Sequence, residues 1–293
     1  MHLTIDQERC IQCNRCVQDC PMGIPETDGK GHYFSNEANA EVCIYCGHCV
    51  AVCPARAIIL HPMTEEENLR EMADYGIVPL GLSPEECQPA SIGEKPSVAQ
   101  MEALMKSRRM TRSFTDKLVD RETVRHMLQE VLVYAPSGHN ARGYRAIVVE
   151  GRQRLERLTE LSLGYFQKLI DQGGLHSFDV KVFERMIQAW KEGKDRVFRT
   201  AKQAVVVCCK TSQVPSDPAV KVLLTYFELL TNAMGLGTAW AGYFMVAAND
   251  PPIKELLGVG EDETVYGAMM FGYPEFVYDV IPKRSDIAIS YMD

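Results

Sequence analysis

The stretch that decides the organisation of this chain runs from Cys10 to Pro54: CIQCNRCVQDCPMGIPETDGKGHYFSNEANAEVCIYCGHCVAVCP. It contains the pattern C-x-x-C-x-x-C-x-x-x-C-P twice. The first run is Cys10, Cys13, Cys16 and Cys20, followed by Pro21, and the second is Cys43, Cys46, Cys49 and Cys53, followed by Pro54. Every cysteine of the first run recurs 33 residues later. The stretch is therefore an internal duplication.

The spacing of these cysteines predicts two 4Fe–4S clusters. Three thiolates two residues apart can surround one face of a cluster, and the fourth cysteine of such a run ligates the other cluster in two-cluster proteins. The following proline ends the ligand loop and removes a backbone donor. We therefore predict that the ligands are shared between the two runs. One cluster takes Cys10, Cys13, Cys16 and Cys53, and the other takes Cys20, Cys43, Cys46 and Cys49.

Zinc sites and disulfide bonds fit the cysteine pattern less well. Structural zinc sites usually take cysteines in separated pairs, four to an ion, instead of three-plus-one runs. A disulfide framework is typical of secreted chains, and the N-terminal MHLTIDQERC lacks the basic and apolar regions of a signal peptide. His48 stands between two of the cysteines, but each predicted cluster already has four ligands, so we interpret it as a neighbour.

Length and composition set wider limits. The 293 residues exceed what the cysteine-rich region needs, so a second domain must follow. A net charge of −8 argues against a nucleic-acid partner. No apolar run approaches the roughly 18 residues that span a bilayer. With no export signal and with oxygen-sensitive clusters, we expect a cytoplasmic protein that has no membrane partner.

We divide the chain into a two-cluster domain at 1–62, a linker at 63–98 and a second domain at 99–293. In the first domain Leu3–Ile5 and Ala57–Leu60 are expected to pair as a ribbon, and Ile24–Asn39 is interpreted as a loop. Met63–Tyr75 favours a short helix. The rest of the linker is rich in proline and glycine and holds the isolated Cys87, which we interpret as inert.

The second domain alternates helices and strands, which predicts an α+β class with an α/β sandwich. The expected helices are Asp120–Tyr134, with Asp120 as N-cap, and Lys221–Met234, ended by Gly235. The expected strands are Tyr144–Val149, Gln203–Cys209 and Thr264–Phe271. The second of these is almost wholly apolar, so it should be buried on both faces, with Cys208 and Cys209 in the core.

Three segments of the second domain suggest a cofactor site. The first is the arginine cluster Arg108, Arg109 and Arg112, which could grip a phosphate, although a charge run is more often a solvated face. The second is Ala135–Asn140 (APSGHN), which offers backbone donors and could equally be an ordinary turn. The third is Gly235–Tyr243 (GLGTAWAGY), where the backbone could approach a flat ring, or which could be only a helix end followed by a strand.

In this order, and with Gly272-Tyr273-Pro274 and Pro282-Lys283-Arg284 near the end, these segments resemble the nitroreductase family of FMN enzymes over about residues 100–288. Residues 1–62 resemble bacterial two-cluster ferredoxins. The whole chain thus resembles a ferredoxin–nitroreductase fusion, and the resemblance implies a homodimer with FMN at the subunit interface.

The resemblance also implies the residues that contact FMN. Its phosphate contacts fall on Arg108, Arg109, Met110 and Arg112, with Lys283 and Arg284. The contacts to its ring and ribityl chain fall on Pro136, Ser137, Gly138 and Asn140, and the backbone amides facing the ring on Ala239, Trp240, Ala241 and Gly242. Met110 replaces a frequent serine, and Arg142 and Tyr144 stand where Gln and Trp are frequent.

The expected function is an FMN-dependent oxidoreductase. Electrons would pass from a low-potential donor through the clusters to FMN and on to a small acceptor such as a nitroaromatic or quinone. The donor would be reduced ferredoxin or NAD(P)H, although no G-x-G-x-x-G follows a strand. No acid–base catalytic residue is assigned, and His139 and Tyr243 are interpreted as structural. The aromatic segment Leu161–Phe198 is either a substrate lid or core.

Further functions stay open at this point. Members of the family also remove halogens or saturate activated double bonds. The chain could instead be an electron-transfer module, or a flavin-based redox sensor, that acts on a partner protein.

Overall fold

A computed structural model describes residues 2–87, 95–213 and 216–292. Its helices are Arg15–Asp19 (α1), His48–Val52 (α2), Glu66–Asp74 (α3), Val98–Ser107 (α4), Arg121–Tyr134 (α5), Arg152–Gln172 (α6), Ser177–Lys191 (α7), Ser216–Ala233 (α8), Gly242–Ala247 (α9) and Pro251–Leu257 (α10). Its strands are Leu3–Ile5 (β1), Pro25–Thr27 (β2), Tyr33–Ser35 (β3), Ile58–Leu60 (β4), Arg145–Glu150 (β5), Gln203–Lys210 (β6), Gly237–Trp240 (β7) and Glu263–Gly272 (β8). None of the helices in these ranges is long and apolar enough to cross a membrane.

The internal duplication of the sequence is also a duplication of backbone conformation. Gln12 and Tyr45, one repeat apart, both have positive φ, at 58° and 49°. Asn14 and Gly47, which precede α1 and α2, are both left-handed, with φ of 62° and 71°. Such residues reverse the chain sharply within each cysteine run, because the left-handed region redirects the backbone in a single step. Each run therefore curls around a centre before its short helix begins.

The N-terminal domain is closed by the predicted ribbon, in which β1 and β4 pair antiparallel and Leu3 lies opposite Leu60. The interpretation of Ile24–Asn39 as a loop was wrong, because β2 and β3 form an antiparallel hairpin there. Asp28 stabilises its turn by accepting from the backbone N–H groups of Lys30 and His32, at 2.7 and 3.1 Å. The Gly, Pro and Asp content indicated the turn, but the buried Tyr33 is what holds the strand against the core.

Much of the predicted linker packs on the N-terminal domain. Leu82 exchanges two backbone hydrogen bonds with Leu60, of 2.7 and 2.9 Å. Helix α3 lies within Met63–Tyr75, and its Met72 is buried in the same core. Cys87 also packs against this core. Residues 88–94 of the linker lie outside the described residues, so the domain boundaries stay predictions.

The C-terminal domain is built on one antiparallel sheet with the strand order β5-β6-β8-β7. Strand β6 is buried along all but its last residue, as its apolar sequence predicts. Its alternate residues pack into two hydrophobic cores. Val205 and Val207 face the side of α5 and α8, and Val206 faces the side of α6 and α9. The α+β class, with helices on both faces of the sheet, is confirmed.

The predicted helices and strands of this domain are present, but their first and last residues were predicted less accurately. Asp120 caps α5 as predicted, because its Oδ1 accepts from the Thr123 N–H at 2.8 Å. Helix α8 begins at Ser216, five residues before the predicted start at Lys221. The sequence did not indicate this earlier start, because the first turn is polar and lacks the apolar spacing of the rest. Seven of the described helices were not predicted: α1, α2, α4, α6, α7, α9 and α10. Five of them have ten residues or fewer, too short for a clear periodic signal. The longer α6 and α7 were missed because most of their residues lie in Leu161–Phe198, which we interpreted only as a lid or as core.

Candidate functional site

Two cavities in the N-terminal domain are each lined by four cysteines. One is lined by Cys10, Cys13, Cys16 and Cys53, and the other by Cys20, Cys43, Cys46 and Cys49. The fold therefore groups the cysteines in the two sets that the sequence predicts, with the last cysteine of each run crossing to the other set. Apolar side chains complete both walls, Ile5 and Ile58 around the first and Leu3 and Ile24 around the second.

The last cysteine of each run accepts a backbone hydrogen bond on its sulfur. Cys20 Sγ accepts from the Ile24 N–H at 3.4 Å, and Cys53 Sγ accepts from the Ala57 N–H at 3.3 Å. These donors stand four residues beyond each cysteine, past the proline that removes the nearest one. Hydrogen bonds to ligating sulfurs help to set the reduction potential of an iron–sulfur cluster.

The thiols in these cavities resist ionisation by themselves. Burial, with some help from neighbouring cysteines, raises the pKa of Cys43 to about 11 and that of Cys49 to about 12. Bound iron would reverse this preference, because a metal ion deprotonates a coordinating thiol. Within the described residues no group of three or more His, Cys, Asp or Glu side chains is arranged for a single metal ion. Four thiols around an apolar cavity fit a 4Fe–4S cluster better than one ion.

The arginine motif, defined here as Arg108–Arg112, lies along the outer edge of β7. The Thr111 N–H donates to the Thr238 carbonyl at 2.8 Å, and Met110 pairs with Thr238 as a parallel bridge. Gly237 permits this approach, since a Cβ there would lie 2.3 Å from Thr111 Oγ1. The fold thus brings two of the three predicted segments together, the one around Met110 and the one around Ala239.

The three arginines of the motif point to different partners. Arg108 Nη1 pairs with the nearly buried Glu228, at 2.9 Å from Oε1. Arg109 Nη1 donates to the backbone carbonyls of Lys106 and Arg108, while its buried Nε has no partner in the described residues. Arg112 lines a cavity beside β7 and α9. Arg108 is therefore paired with a carboxylate, whereas Arg109 and Arg112 have no carboxylate partner among the described residues and keep donors for an anion.

The cavity beside β7 has a volume of about 440 Å³. It is lined by four of the predicted flavin residues besides Arg112, namely Met110, Ala239, Trp240 and Gly242. Two arginines that sequence reasoning missed, Arg196 and Arg199, also line it. Burial lowers the pKa of Arg199, and the charges of Arg196 and Arg112 lower it further. Asp179 is the one carboxylate among the described lining residues, so three positive groups and one negative group leave a positive cavity that favours an anionic ligand.

A buried aspartate holds the two additional arginines in place. Asp195 accepts from the backbone N–H groups of Val197 and Phe198, at 2.7 and 2.9 Å, and its other oxygen pairs with Arg152. Arg152 also donates to the Arg199 carbonyl at 2.6 Å. Arg199 itself has a φ of 59°, which is uncommon for a residue with a side chain. The sequence signal was the cationic DRVFR segment directly before the most apolar strand.

The third predicted segment, Pro136–Asn140, lies elsewhere and contacts the N-terminal domain. Asn140 Nδ2 donates to the carbonyls of Ile44 and Tyr45, at 3.1 and 3.0 Å. Its Oδ1 accepts from Arg142 Nη2 at 2.9 Å. The Arg142 N–H donates to the Gly76 carbonyl at 2.6 Å. The Asn140 amide is therefore engaged with the backbone between Cys43 and Cys46.

The loop and the cysteine domain also share a cavity of about 340 Å³, which both His139 and Cys43 line. His139 has a left-handed backbone, with φ of 54°. None of the four predicted flavin residues of this loop, Pro136, Ser137, Gly138 and Asn140, lines the cavity beside β7.

The remaining predicted residues lie outside both cavities. Lys283 and Arg284 belong to the exposed segment 275–292, and Ala241, although buried at the start of α9, does not line the cavity beside β7. Most aromatics of Leu161–Phe198 are core, as the stacked Phe166 and Phe183 show, with ring centroids 4.4 Å apart. The exposed Phe178 of that segment lines the cavity, so the assignment of a lid stays a prediction.

Comparison with known proteins assigns the C-terminal domain. The model of the nitroreductase family matches residues 105–273, more than half of the chain. The chain belongs to the nitroreductase family. A second model, that of a 4Fe-4S dicluster domain, matches residues 9–58. The predicted combination of a two-cluster iron–sulfur domain with a nitroreductase domain, and the prediction of an enzyme, are confirmed.

Individual relatives are distant. A provisionally named NADH dehydrogenase/NAD(P)H nitroreductase of Archaeoglobus fulgidus is 25% identical over 174 residues, which cover 58% of this chain and 82% of that protein. Two crystal structures of nitroreductases with bound FMN share the fold, each with a TM-score of 0.52 and 66% of this chain covered. One, from Desulfitobacterium hafniense, is 20% identical with 97% of its chain covered, and the other, from Bacteroides fragilis, is 21% identical with 99% covered.

Proposed function

We propose that this nitroreductase-family chain is an iron–sulfur flavoprotein oxidoreductase. It takes electrons from a low-potential donor at its N-terminal domain and delivers them to a small organic acceptor, such as a nitroaromatic or a quinone, at an FMN site in its C-terminal domain. The observation that carries this proposal is the pair of Asn140 hydrogen bonds to Ile44 and Tyr45, because they join a cysteine cavity directly to the predicted flavin loop.

The cysteine cavities would hold the two clusters, one on Cys10, Cys13, Cys16 and Cys53 and the other on Cys20, Cys43, Cys46 and Cys49. The sulfur of Cys13 is the natural point of entry for electrons, since Cys13 is exposed whereas the other seven cysteines are partly or fully buried. A reduced ferredoxin is the kind of donor that could approach it. NAD(P)H would instead have to bind at the flavin, because the sequence has no separate dinucleotide fingerprint.

The cavity beside β7 would hold FMN. Arg112, Arg196 and Arg199 supply positive charge there. Arg109, three residues before Arg112, has a buried Nε donor with no partner among the described residues. The backbone of Ala239–Gly242 offers amides to a flat ring. When bound, iron–sulfur clusters exchange single electrons and FMN exchanges one or two, so the combination connects one-electron donors with two-electron acceptors. The protein contributes binding, orientation and positive charge.

A homodimer is part of this proposal. The segment 275–292 exposes several large apolar side chains, including Val277, Val280, Ile287 and Ile289. Strand β5 is an edge strand that pairs only with β6 in the described part of the chain. A groove of about 480 Å³ runs between α5 and β5, with an apolar part at Leu128, Leu132, Ala146 and Val148 and a charged part at Arg121, Arg125, Glu150 and Arg154. The segment of a second copy could cover this edge, since exposed edges and apolar patches favour association.

The test is an anaerobic analysis of the purified full-length protein. We expect about eight irons, about eight sulfides and about one FMN per chain. Reduced ferredoxin and a nitroaromatic should then give steady turnover, with the flavin absorbance recovering in proportion to the acceptor added. A colourless protein, or one that contains zinc in place of iron, would overturn the proposal. Flavin that stays reduced in excess nitroaromatic and quinone would instead indicate a module that serves a partner protein.

A further inference from the structure

Apart from Lys283 and Arg284, the predicted flavin residues fall into two groups at opposite edges of the sheet. The arginine half consists of Arg108–Arg112 together with Ala239–Gly242, on β7. The loop half consists of Pro136–Asn140, which leads into β5. Strands β5 and β7 are the first and last of the sheet, with β6 and β8 between them. A flavin can therefore contact both halves of one chain only if those two halves lie close together.

The strand register gives the separation. Ala239 pairs with Met270, Met270 with Ala204, and Ala204 with Val149. Ala239 is thus three strand spacings from Val149, about 14 Å at 4.8 Å per spacing. Arg145, where β5 starts next to the loop half, lies four residues from Val149 along the strand. This is about 13 Å at 3.3 Å per residue. The two halves of one chain are therefore roughly 20 Å apart, taking these two displacements together.

The loop half stays with the iron–sulfur domain of its own chain. Two hydrogen bonds from Asn140, to Ile44 and Tyr45, hold it there. Arg142, just beyond the loop half, donates to Gly76 in the linker segment next to that domain. Ile44 and Tyr45 stand between Cys43 and Cys46 in the second cysteine run. The nearest cluster site to the loop half is therefore that of Cys20, Cys43, Cys46 and Cys49, and the site that includes the exposed Cys13 is the other one.

We propose that the iron–sulfur domain of one chain delivers electrons to the flavin held by the arginine half of a second chain. This inference rests on the proposed function, in which FMN lies in a homodimer and contacts both halves. The loop half of each chain then completes the flavin site of the other chain and brings its own Cys43-side cluster with it. The dimer has two such sites, and electrons cross from chain to chain at each.

The redox balance of the proposal is simple. Two one-electron transfers from a low-potential one-electron donor, such as reduced ferredoxin, reduce one FMN by two electrons. The accompanying protons come from solvent. The donor is oxidised twice for each flavin reduced, and no further co-reactant is required.

Two heterodimers that carry the same four substitutions in different arrangements test the inference. The substitutions Cys43→Ala and Cys46→Ala remove the cluster next to the loop half, and Arg112→Glu with Arg199→Glu removes FMN from the arginine half. In the divided heterodimer one chain carries the cysteine pair and the other the arginine pair. In the combined heterodimer one chain carries all four and the other is wild type. Two different affinity tags purify each heterodimer away from the homodimers.

The readout is the bleaching of the flavin absorbance in anaerobic stopped flow, with reduced ferredoxin in a single turnover and no acceptor present. Each heterodimer keeps one flavin, in the chain with intact arginines. In the divided heterodimer that flavin faces the intact iron–sulfur domain of the other chain, so we expect reduction at close to the wild-type rate. In the combined heterodimer it faces a domain without its near cluster, so we expect a rate lower by about tenfold or more, because a relay of one-electron carriers is interrupted.

The opposite order, with the combined heterodimer fast and the divided one slow, would overturn the inference and show transfer within one chain. Equal rates in both would also overturn it. Because the two heterodimers contain the same substitutions, a folding defect affects both alike. A different result would show that the proposed function fails. Reduced ferredoxin would then bleach the flavin of the wild-type homodimer no faster than that of the homodimer with Cys43→Ala and Cys46→Ala.

Discussion

Arg108 Nη1 lies 2.9 Å from Glu228 Oε1, and the Glu228 side chain is only 8% exposed. The same oxygen accepts from Thr238 Oγ1 at 3.5 Å. The pair joins the end of α4 to α8 and to β7, the strand along which the arginine motif runs. The first arginine of the motif therefore fixes the position of the motif, whereas Arg112 faces the cavity.

We predict that Glu228→Gln lowers the free energy of unfolding of the C-terminal domain by about 1–3 kcal/mol. Breaking a fully buried ion pair costs more, but Arg108 is partly exposed and water can solvate it. Flavin should also be released more readily, because the motif loses its anchor. Denaturant unfolding of the full chain at neutral pH, with flavin fluorescence as a second signal, measures both effects.

The matched control for Glu228→Gln is Glu102→Gln, which removes the exposed pair of Glu102 with Lys106 on α4. Exposed pairs within one helix contribute little to stability. We expect no measurable change in unfolding or in flavin release for this variant. Equal effects of the two substitutions would contradict the anchoring role of Glu228.

Gly237 sets the contact between β7 and the arginine motif, and we predict that Gly237→Ala disrupts it. The new Cβ would lie 2.3 Å from Thr111 Oγ1 and 2.7 Å from Thr111 Cβ, so one of the two segments must shift. Overpacking of this kind costs about 1–3 kcal/mol. The FMN content of the purified protein should fall along with its stability, since Met110 and Arg112 would move with Thr111.

Gly164→Ala is the control for this substitution. Gly164 lies inside α6, and a Cβ there meets nothing within 4 Å. Alanine in a helix interior is favoured over glycine by about 1 kcal/mol, so this variant should be slightly more stable and keep its FMN. A Gly237→Ala protein with normal stability and normal FMN content would show that the motif does not depend on this close approach.

The cysteine sites could be predicted from the sequence because three of the four cysteines in each set lie within one short run. The spacing of the two runs, the prolines after Cys20 and Cys53, and the left-handed residues at Asn14 and Gly47 are all repeated within short segments. The fourth cysteine of each set, Cys53 or Cys20, comes from the other run, and the three-plus-one spacing predicts that exchange.

The flavin site could be predicted only in part because its residues are brought together by tertiary contacts. Arg196 and Arg199 enter the cavity because Asp195 and Arg152 bend the chain before β6. Asp195 is local to that bend, but Arg152 is 47 positions from Arg199, and the sequence does not show that contact. The hydrogen bond from Asn140 to Ile44 joins residues 96 positions apart. A motif can show that Asn140 is important, but it does not show that the amide binds the iron–sulfur domain.

The paired Arg145 and Glu263 give a prediction for pH. Two hydrogen bonds from Arg145, together with the Gly260 N–H, hold the pKa of Glu263 at about 2, below its ordinary value of 4.5. A carboxyl with a lowered pKa stabilises the folded state above its unfolded pKa, and this contribution is lost as the pH falls through the folded pKa. The stabilisation should thus be complete above about pH 5 and decline toward pH 2, following the two pKa values.

Glu263→Gln isolates this contribution from the acid lability of the clusters. We expect wild type to exceed the variant in free energy of unfolding by about 2 kcal/mol at pH 7, after allowance for the exposure of Arg145. The difference should shrink steadily below pH 4.5, the ordinary pKa of this carboxyl. Comparison of the two proteins in the same buffers removes effects common to both. A difference that stays constant down to pH 3 would contradict the lowered pKa of Glu263.

The exposed segment 275–292 gives the prediction that bears most directly on the dimer. Ile287 and Ile289 are 81% and 68% exposed, and Ile287→Lys with Ile289→Lys would place two positive charges where we propose that a second copy binds. Burying these ammonium groups beside Arg121, Arg125 and Arg154 of the groove is unfavourable, so the variant should be a monomer in light scattering. It should also lose most of its FMN, because the arginine half and the loop half would no longer meet. The iron content should stay at the wild-type level, since the cysteine cavities lie within one chain. Val98→Lys, at a residue 76% exposed on α4, is the matched control and should leave the dimer and its FMN intact. A variant with both isoleucines replaced that stayed dimeric with full FMN would show that this segment does not complete the flavin site.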